Sequence, residues 1–107
     1  MSEVIVAGSD PDGLGPALEA EGAVVRYAEG TANRAALEAA GVLEADTLVV
    51  TDAGLATSVT VALDCNPALR IVIYTRDSVP EFIKGQAGHI VDPALLTPDT
   101  VAEELLR

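Results

Sequence analysis

The sequence has few of the residues that build large cores, bind metal or form cross-links. Its 107 residues include no tryptophan, one phenylalanine, two tyrosines, and one cysteine and one histidine. A lone cysteine excludes an intramolecular disulfide and a zinc site made of paired cysteines. The core must therefore be built from small aliphatic side chains, which suit β-strands and closely packed helices.

Basic residues are also scarce. Six lysines and arginines stand against 17 acidic residues, which gives a net charge of −11, and Lys84 is the only lysine. Nucleic acid is therefore excluded as a partner. An acidic composition that prefers arginine to lysine resembles the cytosolic proteins of salt-loving microbes, in which concentrated salt screens the repulsion between surface carboxylates. We expect a halophilic protein whose stability depends on salt.

Long apolar runs are missing as well. No run reaches membrane-spanning length, and the N-terminus lacks the basic and apolar segments of a secretion signal. We therefore expect a cytoplasmic protein without membrane insertion. The length fits one domain over residues 1–107, able to bury a core without metal or disulfides.

The sequence does contain a regular alternation of short apolar runs with alanine-rich amphipathic segments, which is typical of βαβ units. The runs predict strands over residues 3–7, 23–27, 47–51, 70–75 and 89–91. Right-handed crossovers between them predict an α/β fold, a three-layer α/β/α sandwich around a five-stranded parallel Rossmann-like sheet of order 2-1-3-4-5.

Capping residues, glycines and prolines predict five helices. They begin near Leu14, at a cap by Thr31 or Asn33, after Asp52, at a cap by Asp77 or Ser78, and at Thr97-Pro98. Gly22, Gly41 and Asn66-Pro67 mark the ends of the first three. Cys65 falls at the end of the third helix, where we interpret it as a packed thiol.

The turn after the first strand is the most informative segment. It reads Gly8-Ser9-Asp10-Pro11-Asp12-Gly13 and leads into a helix, the place where Rossmann-like domains hold phosphates. Gly8 and Gly13 match the first and third glycines of G-x-G-x-x-G. Asp10 stands at the second, where a carboxylate repels a phosphate unless a cation lies between them.

Three longer segments resemble a known family. Residues 29–42 (EGTANRAALEAAGV), 44–52 (EADTLVVTD) and 66–77 (NPALRIVIYTRD) look like parts of TrkA-N domains, the nucleotide-binding halves of regulators of potassium conductance. The likeness covers most of residues 3–92, with one βα unit missing. It implies a non-catalytic nucleotide-binding or regulatory domain of the NAD-binding superfamily, with NAD, NADH or an adenine nucleotide as ligand. The implied contacts are Gly8, Ser9, Asp10, Gly13, Thr31, Asp52 and Arg76.

The same resemblance carries expectations about partners. It implies a homodimer formed through helices beside the crevice. Because the chain has neither a pore nor the ligand-binding domain that usually follows, any action on a potassium channel or transporter would be in trans. The chain also departs from the family: the acid that binds ribose has no counterpart, and the pair that contacts adenine falls on Glu29-Gly30.

A second resemblance comes from the predicted strand ends. Asp10 and Asp12 follow the first strand, Asp52 the third and Thr75 the fourth, which looks like a phosphoacceptor receiver domain. In that family two acids hold Mg²⁺, the aspartate of the third strand takes the phosphoryl group, and a Ser or Thr after the fourth senses it. This implies Asp52 as acceptor, or simple cation binding by Asp10, Asp12 and Asp52.

Other observations keep alternatives open. The lysine that a receiver carries after its fifth strand is absent, and Asp92 stands there. Asp12 and Asp52 are also suited to cap helices. A structural or interaction protein with a lost nucleotide site is the third alternative.

Catalysis is not expected. The single histidine, His89, would have to reach Ser9, Ser58 or Cys65 to form a nucleophilic site. Arg76 is the most credible anion contact, unless it pairs with Asp77 or Glu81. No metal-binding residues are predicted apart from the cation-binding alternative, and a binding or regulatory role without catalysis is the expectation.

Overall fold

The computed structural model describes residues 2–106. Strands and helices alternate along the chain. The strands are β1 (Glu3–Ala7), β2 (Val24–Ala28), β3 (Thr47–Val50), β4 (Arg70–Tyr74) and β5 (His89–Val91). The helices are α1 (Leu14–Ala20), α2 (Arg34–Ala39), α3 (Thr57–Cys65), α4 (Glu81–Lys84) and α5 (Pro98–Leu105), and a 3₁₀ turn spans Ala53–Leu55.

The five strands form one parallel sheet in the order β2-β1-β3-β4-β5. This confirms the predicted α/β fold and strand order. Val6 lies in register with Val49 of β3, and Val49 with Val72 of β4. The strand order reverses between β1 and β3, which is where doubly wound folds of this order place their sites.

Helices cover both faces of the sheet, and each face has its own core. On one face α1 and α5 pack over Val6, Val49 and Tyr74. On the other, α2, α3 and α4 cover the alternate residues of the same strands, including Ile5, Leu48, Ile71 and Ile73. The two cores consist mainly of Val, Ile, Leu and Ala, as the shortage of aromatic residues requires.

Several predicted boundaries hold and others shift. The strands at 3–7 and 89–91 are confirmed. The second strand lies one residue later than predicted, at Val24–Ala28. The third and fourth each end one residue earlier, at Val50 and Tyr74. The first helix ends at Ala20, and Gly22 follows at φ +98°, a conformation that favours glycine.

The helix caps were predicted less well than the helices. The cap of α2 is Asn33, whose side chain accepts a hydrogen bond from the Ala36 N–H at 2.9 Å, so the alternative Thr31 is wrong. Asp77 and Ser78 were wrong for α4, because its N-cap is Pro80. Proline disfavours helical geometry in the residue before it, so this helix cannot start earlier. Thr97 caps α5 as expected.

Two further features complete the fold. Cys65 is the last residue of α3 and is half-buried, and Arg34 Nη1 donates to its Sγ at 3.1 Å. Within residues 2–106, no helix has both the length and the apolar character that crossing a bilayer requires.

Candidate functional site

A cavity opens at the carboxyl ends of β1, β3 and β4. Its volume is about 340 Å³, and its lining residues are Ser9, Pro11, Asp12, Thr51, Asp52, Thr75, Arg76 and Asp77. A second hollow of about 390 Å³ adjoins it on the β2 side and shares Ser9 and Asp52. We call the first cavity the carboxyl-edge cavity.

The wall of this cavity is built around the Thr51 hydroxyl. Thr51 Oγ1 donates to the Ala7 carbonyl at 3.3 Å and accepts from the Asp10 N–H at 3.1 Å. Gly8 has φ +119°, and a β-carbon there would overlap Thr51 Oγ1. Glycine is thus required at position 8 both by the backbone conformation and by the close approach of Thr51.

The Asp10 carboxylate points at the start of α1. Its two oxygens accept hydrogen bonds from the N–H groups of Leu14 at 2.9 Å and Gly15 at 2.8 Å. Asp10 itself has φ +54° and is half-buried. A helix N-terminus favours an anion, and here the chain supplies that anion itself. Asp10 therefore fills the position that a phosphate oxygen would take in a phosphate-binding turn.

Asp12 is held by an arginine from a distant strand end. Arg76 Nη2 lies 3.0 Å from Asp12 Oδ1, and Arg76 Nη1 donates to Asp12 Oδ2 at 3.1 Å. This two-point hydrogen-bonded pairing is the geometry in which arginine binds a carboxylate best. Its hydrogen bonds raise the pKa of Arg76 above the usual value. Arg76 therefore supplies the positive charge that pairs with Asp12 at this edge of the sheet.

The remaining polar residues of the cavity bond to nearby backbone. The Asp52 carboxylate accepts from the Gly54 N–H at 2.8 Å, and the Asp52 side chain caps the 3₁₀ turn. Buried Thr75 accepts from the Asp77 N–H at 3.2 Å. At the end of β5, Asp92 accepts from the Ala94 N–H at 2.8 Å. Asp52 is exposed, so a small reagent can reach its carboxylate.

Tyr74 connects this edge to the loop before α5. The residue precedes Thr75, and its buried hydroxyl donates to the Leu96 carbonyl at 2.8 Å. Burial raises the pKa of Tyr74 above its usual value, and the charge of nearby Asp12 acts in the same direction. The neutral phenol is therefore the form that the folded protein stabilises.

Comparison with known families shows the family to which this sequence belongs. The model of a family of unknown function, DUF7126, matches residues 4–105. The chain belongs to this family. A comparison of the DUF7126 chain with curated proteins gives no match.

Solved structures similar to this DUF7126 member share its fold at low sequence identity. An orphan response regulator of Helicobacter pylori, HP1043, has a TM-score of 0.74 and 12% identity, over 98% of this chain and 93% of its own. A CheY-like response regulator receiver domain protein of Methanospirillum hungatei has a TM-score of 0.72 and 15% identity, over 99% and 91%. A pilus assembly-related protein of Burkholderia pseudomallei has a TM-score of 0.70 and 18% identity, over 100% and 88%.

The resemblance to TrkA-N domains was wrong. The structural neighbours of this DUF7126 chain include response regulators and a CheY-like receiver domain protein, and the strand order 2-1-3-4-5 is the order of CheY-like folds. The nucleotide-binding function and the regulation of potassium transport that this resemblance implied are withdrawn with it. The physical reason lies in the segments compared, which are strand-turn-helix units that every doubly wound fold contains.

The predicted site residues divide into three groups. Ser9, Asp52 and Arg76 line the carboxyl-edge cavity, and Gly8 lines the adjoining hollow. Asp10 and Gly13 instead form the entry to α1, where Gly13 is the N-cap at φ +76°. Thr31 lines neither cavity, and its carbonyl accepts a hydrogen bond from the Ser58 hydroxyl at 3.3 Å.

Some pairings at the site differ from those expected. Arg76 pairs with Asp12, and neither Asp77 nor Glu81 is its partner in an ion pair between described residues. Asp52 caps a helical turn, as one alternative held, whereas Asp12 does not cap α1.

Across residues 2–106, no three acidic, cysteine or histidine side chains are grouped so that they could hold a metal ion. Sequence reasoning missed Thr51, whose position at a strand end was the available signal.

Proposed function

We propose that this protein is a receiver-like regulatory domain that acts through protein contacts without phosphoryl transfer. The observation that carries the proposal is the two-point ion pair between Arg76 and Asp12. In a phosphoacceptor receiver, acids at this edge are free to hold Mg²⁺. Here Asp12 is neutralised by a guanidinium, and Asp10 is committed to the start of α1.

The residue after β5 supports the same conclusion. A receiver's lysine at this place pairs with the phosphoryl group, whereas this chain has Asp92 there. A phosphoryl group on Asp52 would share the carboxyl-edge cavity with the negative charge of Asp77, while Arg76 is already paired with Asp12. Phosphorylation would therefore be opposed by charge rather than stabilised.

The phosphotransfer half of the proposal is tested with acetyl phosphate and Mg²⁺ at high KCl. We expect the intact mass of the protein to stay unchanged, because the site lacks both a free acidic pair for the metal and the lysine. A phosphorylatable receiver in the same buffer shows that the reagent works, and Asp52→Asn is the matched variant. An Mg²⁺-dependent mass gain that Asp52→Asn abolishes would overturn the proposal.

An apolar surface beside the edge strand β5 supports the second part of the proposal, that the protein acts through protein contacts. Phe82 of α4 is 56% exposed and Ile90 of β5 is 45% exposed, although both are large apolar side chains. Ile90 lies in register with Ile73, so both point to the face that α4 covers. Residues 85–98 contain a single acidic residue, Asp92, in a chain of net charge −11. Two copies can thus approach here with little repulsion, and we propose a homodimer through this surface.

Sedimentation velocity at multimolar KCl tests the dimer. We expect the wild type to sediment as a dimer at micromolar concentration and Ile90→Glu to sediment as a monomer, because the charge would be buried unpaired in the interface. Leu43→Glu is the matched control, since Leu43 is 64% exposed and lies outside this surface. A wild-type monomer at every concentration, or equal dissociation of both variants, would argue against this surface.

A further inference from the structure

An open groove lies on the other face of β5. The last helix, α5, packs chiefly against α1, and this leaves a space of about 290 Å³ between α5 and the edge of the sheet. The lining residues are Arg70, Val72, His89, Val91, Leu96, Val101, Glu104 and Leu105. We call this space the α5 groove. It is separate from the carboxyl-edge cavity, with which it shares no lining residue.

The floor of the α5 groove is apolar. Val72 and Val101 are buried members of the core, and Val91 and Leu105 pack against the same cluster. Leu96 forms part of the wall, and its backbone is held by the hydrogen bond from Tyr74. A groove with a fixed wall and an apolar floor can bury an aliphatic chain without first rearranging.

Two basic residues lie at the same end of this groove. Arg70 begins β4 and His89 begins β5. His89 lies in register with Val72, two residues after Arg70, so all three side chains face the α5 side of the sheet. His89 is the only histidine of the chain, and Glu104 is the one acidic residue in the lining.

Arg70 differs from the other arginine and lysine side chains that the structure describes. Arg26, Arg34, Arg76 and Lys84 each form an ion pair with a carboxylate. Within the described part of the chain Arg70 forms none, and its Nη1 donates to the Leu105 carbonyl at 2.9 Å. A guanidinium without a carboxylate is unexpected in a protein with 17 acidic residues. A guanidinium of this kind can bind a carboxylate through two parallel hydrogen bonds.

We propose that the α5 groove binds a small aliphatic carboxylate. The alkyl chain lies between β5 and α5, and the carboxylate pairs with Arg70 beside His89. A single guanidinium beside an apolar floor suits one carboxylate group with an alkyl chain. At high salt the net charge of the protein is screened beyond a few ångströms, so the local pairing with Arg70 decides binding.

The test uses octanoate as the probe and the full ¹⁵N-labelled chain in multimolar KCl. We expect saturable shifts of the amide signals of Val72, Val91 and Val101, with little change at the carboxyl-edge cavity. Hexanoate should bind about tenfold more weakly than octanoate, because it buries two fewer methylene groups. Octanol should bind at least about fivefold more weakly, because it lacks the anion.

Charge reversal at two strand arginines separates direct pairing of octanoate with Arg70 from the effect of the protein's net charge on binding. Arg70→Glu should weaken octanoate binding about tenfold or more, whereas Arg26→Glu, the same change on the opposite edge strand β2, should leave it within about twofold. Arg70→Met keeps the bulk of the side chain and serves if Arg70→Glu does not fold, as judged by circular dichroism. It should weaken binding about fivefold.

Three results would overturn the proposal. The first is the absence of saturable shifts up to the solubility limit of octanoate. The second is equal affinity for octanol and octanoate, or for wild type and both Arg70 variants. The third is tighter binding of a short apolar peptide with a free C-terminal carboxylate, such as acetyl-Ala-Val-Leu, which would make the occupant a protein terminus.

Discussion

Replacing Gly8 by alanine is expected to lower the free energy of unfolding by about 3 kcal/mol. Gly8 has φ +119°, where a residue with a β-carbon is strained. The new β-carbon would also overlap Thr51 Oγ1, whose bonds to the Ala7 carbonyl and the Asp10 N–H hold the turn after β1. Strain and the loss of these hydrogen bonds add to one another. Urea unfolding followed by circular dichroism measures the effect.

A matched glycine separates the two contributions to this effect. Gly22 has φ +98°, and nothing lies within 4 Å of the position of its missing β-carbon. Gly22→Ala therefore introduces strain alone and should cost about 1 kcal/mol. If the clash with Thr51 matters, the double variant Gly8→Ala/Thr51→Ala should cost less than the two single changes together. Equal losses of unfolding free energy for Gly8→Ala and Gly22→Ala would show that the clash with Thr51 does not contribute.

Lowering KCl from about 2 M to about 0.1 M is expected to reduce the free energy of unfolding by about 2–4 kcal/mol. The chain has 17 acidic residues and only six lysines and arginines, so most carboxylates have no cation to pair with. Concentrated salt shortens the range of their repulsion. Urea unfolding at a series of KCl concentrations measures the dependence.

Neutral variants distinguish charge screening from a general effect of salt on apolar burial. Glu21, Glu44 and Glu103 are exposed, and none of them is in an ion pair with a described residue. The variant Glu21→Gln/Glu44→Gln/Glu103→Gln should be more stable than the wild type at low salt and should converge with it at high salt. Parallel curves would mean that KCl acts through hydration of apolar surface instead.

Local patterns in the sequence were enough to predict the sheet. Apolar runs mark buried parallel strands because both of their faces are covered by helices, and Asn33 and Thr97 mark helix starts because their side chains bond backbone within three residues. The strand order followed from the right-handed crossovers. Each of these features depends on residues close together in the chain.

The candidate site depends on residues far apart in the chain, and this is why prediction failed there. Asp12 and Arg76 are 64 residues apart, and nothing local distinguished Asp12 from Asp77 as the partner of Arg76. The Asp10 carboxylate binds the first N–H groups of α1 from a residue whose backbone is at φ +54°, and no motif indicated this arrangement. The predicted resemblance to TrkA-N domains was wrong for a related reason. Strand-turn-helix motifs identify the repeating unit of a doubly wound sheet but not the number of units in it.

The hydrogen bond from Arg70 to the Leu105 carbonyl has a practical consequence. It holds the end of α5 beside the first residue of β4, at the amino edge of the parallel sheet, whereas the Asp12–Arg76 pair lies at the carboxyl edge. A tag, fluorophore or fused domain attached after α5 would stand at the mouth of the α5 groove and would block it. The same attachment would leave the carboxyl-edge cavity unobstructed, so probes joined there report on the two places differently.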